Sequence, residues 1–204
     1  MKIWILCLLL LVPKFALGQD STVLKVHFLY GSKPYRQFRH SEYRSFGGIH
    51  GGHVGIELRD DQIINFIPHG KLHWYSRHYN KHSKFDQHNR ISFYSIMGGR
   101  INDVKKAIIY IPISDSQSRI FENITTSYLD ETPYDYAFLG MRCGAAGYDL
   151  LSRIGILKPH ANCATSKKIF YPKKLRKRLF NMAKANHWKV ELTNGSITRK
   201  WESD

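Results

Sequence analysis

Two short segments constrain the fold more strongly than any other part of the sequence. His53 opens an alternating run, HVGIEL, directly after two glycines. Cys143 lies much later in the chain, where a loop meets a helix of small residues, CGAAG. A cysteine at a helix N-terminus beside an imidazole has a lowered thiol pKa and can act as a nucleophile. We therefore expect a fold that brings the start of a strand against the start of a helix.

The histidine segment is predicted to form a β-hairpin over residues 53–68, because both of its runs alternate and a polar turn separates them. Alternation places His53 and Glu57 on one face of the first strand. Asn65 joins that face if the connection has an odd number of residues or a bulge, and it could then orient the imidazole. A two-residue turn would place it on the opposite face. Glu57 and His69 are the alternatives for the orienting role.

The cysteine segment predicts a helix over residues 144–154 that packs closely against a sheet, because its first turn contains only glycine and alanine. The free N–H groups of that turn could donate to an oxyanion beside Cys143. Two other interpretations of Cys143 stay open. Cys143 could be a small buried apolar residue, or it could form a disulfide with Cys163, the other cysteine of an exported chain.

The remaining pattern predicts an α+β domain. Residues 31–52 form a long loop rich in aromatic and basic side chains, a candidate wall for a substrate groove. Residues 69–90 show little periodicity. The other predicted elements are strands at 23–30, 91–96 and 107–113, helices from Ser114 or Asp115 to 129 and over 172–185, and a terminal hairpin of 189–193 and 196–201 around Asn194-Gly195.

Residues 1–18 have the character of a signal peptide. Lys2 precedes a short apolar stretch, and Ala16-Leu17-Gly18 supplies small residues at a cleavage site. The mature chain would begin at Gln19 and form one domain over residues 19–204, exported to the periplasm or secreted. No cofactor is expected.

The charge of the chain has two interpretations, an anionic partner or solubility alone. The formal net charge is +15, and loss of Lys2 and Lys14 with the signal peptide would leave +13. Export argues against nucleic acid and favours an anionic envelope surface, such as peptidoglycan carboxylates or lipid headgroups. The basic helix 172–185 could contact a membrane peripherally. Alternatively, its apolar face packs on the core and its charges are merely solvated.

Histidine spacing leaves a metal site as a further alternative. The pairs His69/His73 and His78/His82 have i,i+4 spacing, which would place both rings of a pair on one face of a helix. However, the sequence contains no HExxH motif, and Pro68 followed by Gly70 disfavours a helix at the first pair.

These motifs carry a family resemblance. The run HVGI after a glycine, followed by a turn and a polar residue at position 65, resembles the histidine strand pair of NlpC-type cysteine peptidases. The segment YDYAF at 134–138, followed by Cys143 and a helix, resembles the circularly permuted branch of that family. This branch comprises the YiiX-like and lecithin retinol acyltransferase-like proteins, in which the histidine also precedes the cysteine.

The resemblance implies a papain-like antiparallel sheet packed on a cysteine-bearing helix. It also implies a thiol hydrolase in which Cys143 attacks a carbonyl, His53 transfers protons and Asn65 orients His53. We expect the substrate to be an amide bond, as in peptidoglycan peptides. Two alternatives are a lipid acyl hydrolase or acyltransferase of the same fold, and a non-catalytic envelope-binding module with a Cys143–Cys163 disulfide.

Overall fold

A computed structural model describes residues 22–42, 51–59, 61–76, 82–96 and 102–204. The predicted signal peptide and His78 lie outside these ranges, as does part of the predicted loop 31–52. Over the described residues the chain is a mixed α+β protein, built on a six-stranded antiparallel sheet with five helices. The α+β class predicted from the sequence is therefore confirmed.

The sheet has the strand order β5-β4-β3-β1-β6-β7. Its strands are β1 (Thr22–Leu29), β3 (His53–Glu57), β4 (Gln62–Pro68), β5 (Ser83–Asn89), β6 (Lys106–Ile113) and β7 (Val190–Thr193). A separate pair joins β2 (Ser32–Pro34) to β8 (Arg199–Trp201). The longest pairing is between β1 and β6, whose alternating apolar side chains supply the centre of the core.

Five helices cover the sheet or flank it. They are α1 (Arg90–Ser95), α2 (Asp115–Asp130), α3 (Cys143–Arg153), α4 (Asn162–Lys168) and α5 (Pro172–Asn186). Helix α2 begins with a capping box between Ser114 and Gln117. Helix α5 begins at a proline, which suits the first helical position because its missing N–H would be unpaired there.

Helix α3 packs against β3 and β4, and its glycines allow the close approach. A Cβ atom on Gly147 would lie 3.5 Å from Val54 and 3.4 Å from Leu175 of α5, at ordinary van der Waals distance, so the helix backbone lies close to both elements. Val54, Ile56, Ile64 and Phe66 share the core with α3. The other sheet face carries a smaller cluster formed by Leu29, Ile63, Phe93, Tyr94 and Val104.

Three local predictions are wrong. Residues 91–95 belong to α1 and Ile96 is its C-cap, so this segment is not a strand; the Asn89 side chain accepts from the Ser92 N–H and caps the helix. Residues 83–89, predicted as irregular, form β5. The strands near the C-terminus do not form a hairpin with each other. Instead β7 extends the sheet beside β6, while β8 pairs with β2.

Helix α5 directs its apolar side chains into the core. Leu175 and Leu179 are fully buried there. Arg176 is buried too, with its guanidinium 3.7 Å from the Tyr30 ring centre, 3.2 Å from Glu202 and 2.8 Å from Asp204. These contacts match the packing alternative for this helix. None of the helices in the described part of the chain has the length and apolar character needed to cross a membrane.

Candidate active site

His53 is the first residue of β3 and is almost fully buried. Gly52 precedes it with φ of +83°, and a Cβ there would lie 2.3 Å from the Leu29 carbonyl oxygen. Only glycine fits this entry into the strand. Gly55 makes room on the same face, where a Cβ would meet Ile63 and Phe93 at 2.4 and 2.6 Å. The two glycines thus allow the imidazole to sit within a densely packed layer.

Asn65 lies on the same face as His53. The register pairs Glu57 with Ile63 and Gly55 with Asn65, so the connection between the paired positions has an odd number of residues. The Oδ1 of Asn65 lies 2.9 Å from Nε2 of His53 and accepts its proton. This leaves Nδ1 as the ring nitrogen available to a thiol.

The two alternative orienting residues lie elsewhere. Glu57 is buried beside Lys25, Arg90 and His27 rather than beside His53. His69 is exposed at the end of β4. Among the three candidates, only Asn65 makes a hydrogen bond to the imidazole in the described structure.

Cys143 is the first residue of α3, and its thiol interacts with the buried imidazole of His53. Burial raises the pKa of the Cys143 thiol. The charge and hydrogen bond of His53, the Arg142 charge and the Gly144 N–H outweigh that effect, so the pKa lies below its ordinary value. Burial likewise lowers the pKa of His53, but the contacts with Cys143 and Asn65 raise it overall. Both shifts move the pair toward thiolate and imidazolium.

Tyr136 contributes a third polar group beside the thiol. Its hydroxyl is a hydrogen-bonding neighbour of both the thiol and the backbone N–H of Cys143. Burial, followed by the charge of Cys143, raises the pKa of Tyr136 well above its ordinary value, so its proton is retained. The Tyr136 O–H and the Cys143 N–H are thus two donor groups beside the thiol.

Arg142 lies directly before the thiol and is held by aromatic rings. Its guanidinium carbon is 3.8 Å from the ring centre of Phe170, 5.3 Å from that of Tyr171 and 5.5 Å from that of Phe138. A planar guanidinium stacks on such rings and keeps its charge. The cation is thus fixed beside Cys143.

Replacing Arg142 with glutamine should raise the pKa of Cys143, because one stabilising charge beside the thiolate is lost. We expect iodoacetamide labelling of Cys143 at pH 6 to slow about fivefold, the size of one partly screened charge. Arg142→Lys is the matched control, since it retains the charge and loses the planar stacking. Equal slowing in both variants would attribute the effect to packing instead.

The two cysteines are not bridged. Cys143 is buried and Cys163 is exposed on α4, and both are free thiols in the structure. The predicted zinc alternative finds no support from the described residues, where no group of three or more His, Cys, Asp or Glu side chains could hold a metal ion. His73 instead lies 3.1 Å from Asp135.

An exposed apolar patch lies beside the segment that leads to Cys143. The loop 70–75 and His82 line a cavity of about 860 Å³. Backbone N–H groups of Phe138 and Leu139 donate to the carbonyls of His73 and Trp74, at 2.8 and 2.9 Å. These bonds join the loop to the cysteine segment. The exposed apolar side chains of this patch are Leu72, Trp74, Tyr75 and Leu139.

The sequence analysis did not assign a role to Tyr136, Arg142 or His88. Of these, His88 contacts the side chain of Asn65. Tyr136 belongs to the YDYAF motif, so its proximity to Cys143 in sequence was a usable signal. Arg142 also had a signal, as the basic residue adjacent to the thiol. His88 had none, because it lies in a histidine-rich stretch without periodicity.

No protein-family model, curated protein or solved structure matches this chain.

Proposed function

We propose that this protein is a cysteine hydrolase that attacks a carbonyl group through Cys143. The observation that carries the proposal is the arrangement of thiol, imidazole and carboxamide, with His53 between Cys143 and Asn65. We also propose that the fold is papain-like and of the circularly permuted NlpC type. The cysteine-bearing helix packed on an antiparallel sheet and the order of His53 before Cys143 support this.

In the proposed reaction the Cys143 thiolate adds to the carbonyl carbon, and the developing oxyanion accepts from the Cys143 N–H and the Tyr136 O–H. The His53 imidazolium then protonates the leaving amine or alcohol, and an acyl-thioester remains. Water attacks that thioester while His53 accepts its proton, and the acid product leaves. Asn65 keeps the imidazole aligned through both steps.

The substrate we favour is an amide bond in peptidoglycan peptides, reached after export. The strongly positive charge of the chain supports an anionic substrate surface. The test is incubation of the purified protein with soluble peptidoglycan fragments, followed by mass spectrometry for new termini. We expect cleavage by the wild type and none by Cys143→Ala; absence of cleavage by the wild type would remove this substrate.

The exposed patch of Leu72, Trp74, Tyr75 and Leu139 favours a second candidate, an acyl hydrolase or acyltransferase acting on lipids. Aromatic and aliphatic side chains exposed beside a cavity suit contact with acyl chains. Anionic phospholipid vesicles provide the parallel assay. Fatty acid release by the wild type but not by a Cys143 variant would support the lipid candidate. Cys143-dependent transfer of the acyl chain to an acceptor would support it as well.

The non-catalytic alternative, an envelope-binding module, requires Cys143 and Cys163 to be joined, whereas both are free thiols in the structure. The purified protein is denatured without reductant and its thiols are titrated. This measurement distinguishes the hydrolase from the binding module. Two titratable thiols in the mature chain favour the hydrolase, whereas none would favour the binding module.

A further inference from the structure

The carboxamide of Asn65 is held on its far side by a second histidine. Its Nδ2 donates to Nδ1 of His88 at 2.9 Å and to the backbone carbonyl of Asp86 at 3.1 Å. Its Oδ1 lies 2.9 Å from Nε2 of His53. Both amide protons are therefore used, and a flipped amide would place its oxygen against the Asp86 carbonyl oxygen, which can only accept. Strand β5 thus determines which end of the amide faces His53.

The contact between Asn65 and His88 determines which groups donate and which accept along the chain from His88 to His53. Because Nδ1 of His88 accepts, the proton of the neutral ring is on Nε2, which lies 3.7 Å from the Asp86 carboxylate. Asn65 then presents its oxygen to His53, so His53 carries a proton on Nε2. The remaining nitrogen, Nδ1, keeps its lone pair for the proton of the Cys143 thiol. That tautomer is the one a general base requires.

We propose that His88 is a positioning residue that holds Asn65 in the orientation required for His53 to activate Cys143. The inference rests on the proposed function, because it concerns the same thiol. His88 does not bond to His53 or Cys143, so its whole effect passes through the amide of Asn65. In metal sites, loss of an outer hydrogen-bond partner that orients a ligating side chain costs about tenfold to 100-fold, and we expect the lower end of that range for His88.

The test compares two replacements of His88. In His88→Asn the side-chain oxygen can take the place of Nδ1 as acceptor, whereas His88→Leu has similar bulk and no acceptor. Alkylation by iodoacetamide at pH 7.5 is followed by mass spectrometry at Cys143, with the exposed Cys163 of the same molecule as internal reference. We expect about tenfold slowing at Cys143 in His88→Leu and a rate within about twofold of wild type in His88→Asn.

A double variant tests the route of the effect. With Asn65→Ala already in place, His88→Leu should slow alkylation of Cys143 by less than about twofold, because residues that act through one another are not additive. Independent, multiplicative effects would overturn the inference, as would a His88→Leu variant that reacts like wild type. If His53→Ala also leaves the rate unchanged, the proposed function itself fails. If only His53→Ala slows labelling, the hydrolase proposal stands and the role of His88 falls.

Discussion

Replacement of His53 with alanine is expected to slow alkylation of Cys143 by about 100-fold at pH 6. An ordinary thiol with a pKa near 8.5 is only about 0.3% ionised at that pH. In the wild type, the imidazolium of His53 and its hydrogen bond lower the pKa of Cys143 and keep the thiolate populated. Without His53 the buried thiol loses that stabilisation, and only the Arg142 charge and the Gly144 N–H still oppose the effect of burial on its pKa.

The pH profile of Cys143 labelling should also show the effect of His53, and its direction can be predicted. Because the pKa of Cys143 is lowered and that of His53 is raised, wild-type labelling should remain fast well below the ordinary thiol range. It should fall only where Cys143 itself becomes protonated. In His53→Ala the rate should instead rise only toward alkaline pH. The measurement is the labelling rate from pH 5 to 9, resolved by residue.

Two internal controls make that experiment specific. Cys163 is exposed on α4, so its rate in each variant reports general changes in reagent access. His69→Ala removes an exposed histidine from the end of β4 and should leave Cys143 labelling unchanged. A His53→Ala protein that labels as fast as wild type would contradict the thiolate–imidazolium pair.

The hairpin that carries His53 and Asn65 could be predicted from the sequence, because both of its strands alternate. Whether the two side chains share a face could not, since that depends on the register of the turn. A shift of one residue would move Asn65 to the opposite face. The observed pairing of Gly55 with Asn65 resolved the question. The local sequence pattern thus located the two strands of the hairpin. The pairing between them determined that Asn65 contacts His53.

The errors in the prediction follow from tertiary contacts that the local pattern does not contain. Strand β5 buries little apolar surface beyond Phe85, so its sequence lacks alternation, yet it pairs with β4 along its whole length. Arg199 of β8 is buried against Ser32 and Glu42, which explains pairing with β2 rather than with β7. The contact between Asn65 and His88 depends on the unpredicted β5 and was therefore missed as well.

Replacement of Glu57 with glutamine should lower the free energy of unfolding at pH 7 by about 3 kcal/mol, because it removes the anion from a buried ionic cluster. The Glu57 carboxylate is inaccessible to solvent and bonds to Lys25 and Arg90, with His27 at 3.2 Å. Burial raises the pKa of Glu57, but these three partners lower it strongly overall. The neutral amide would leave the buried His27 and the two cations without their shared anion. Urea unfolding at pH 7 measures the difference.

The pH dependence of this effect has a defined sign. A depressed pKa in the folded state means that the contribution of Glu57 is complete above its unfolded value of about 4.3. It is lost as the pH falls further, toward the folded value. The gap between wild type and Glu57→Gln should therefore narrow below pH 4. Glu122→Gln is the matched control, because Glu122 pairs with Arg59 at 3.0 Å on the surface and its loss should cost less than about 1 kcal/mol.

The same variant separates stability from reactivity. Glu57 lies on the strand that carries His53 but does not contact the imidazole, so native Cys143 labelling at pH 7 should stay within about twofold of wild type. Asn65→Ala should show the opposite pattern. It removes the acceptor 2.9 Å from His53, and we expect labelling to slow by about tenfold or more. If the Glu57→Gln protein remains folded but loses Cys143 reactivity, the residue that orients His53 is Glu57 rather than Asn65.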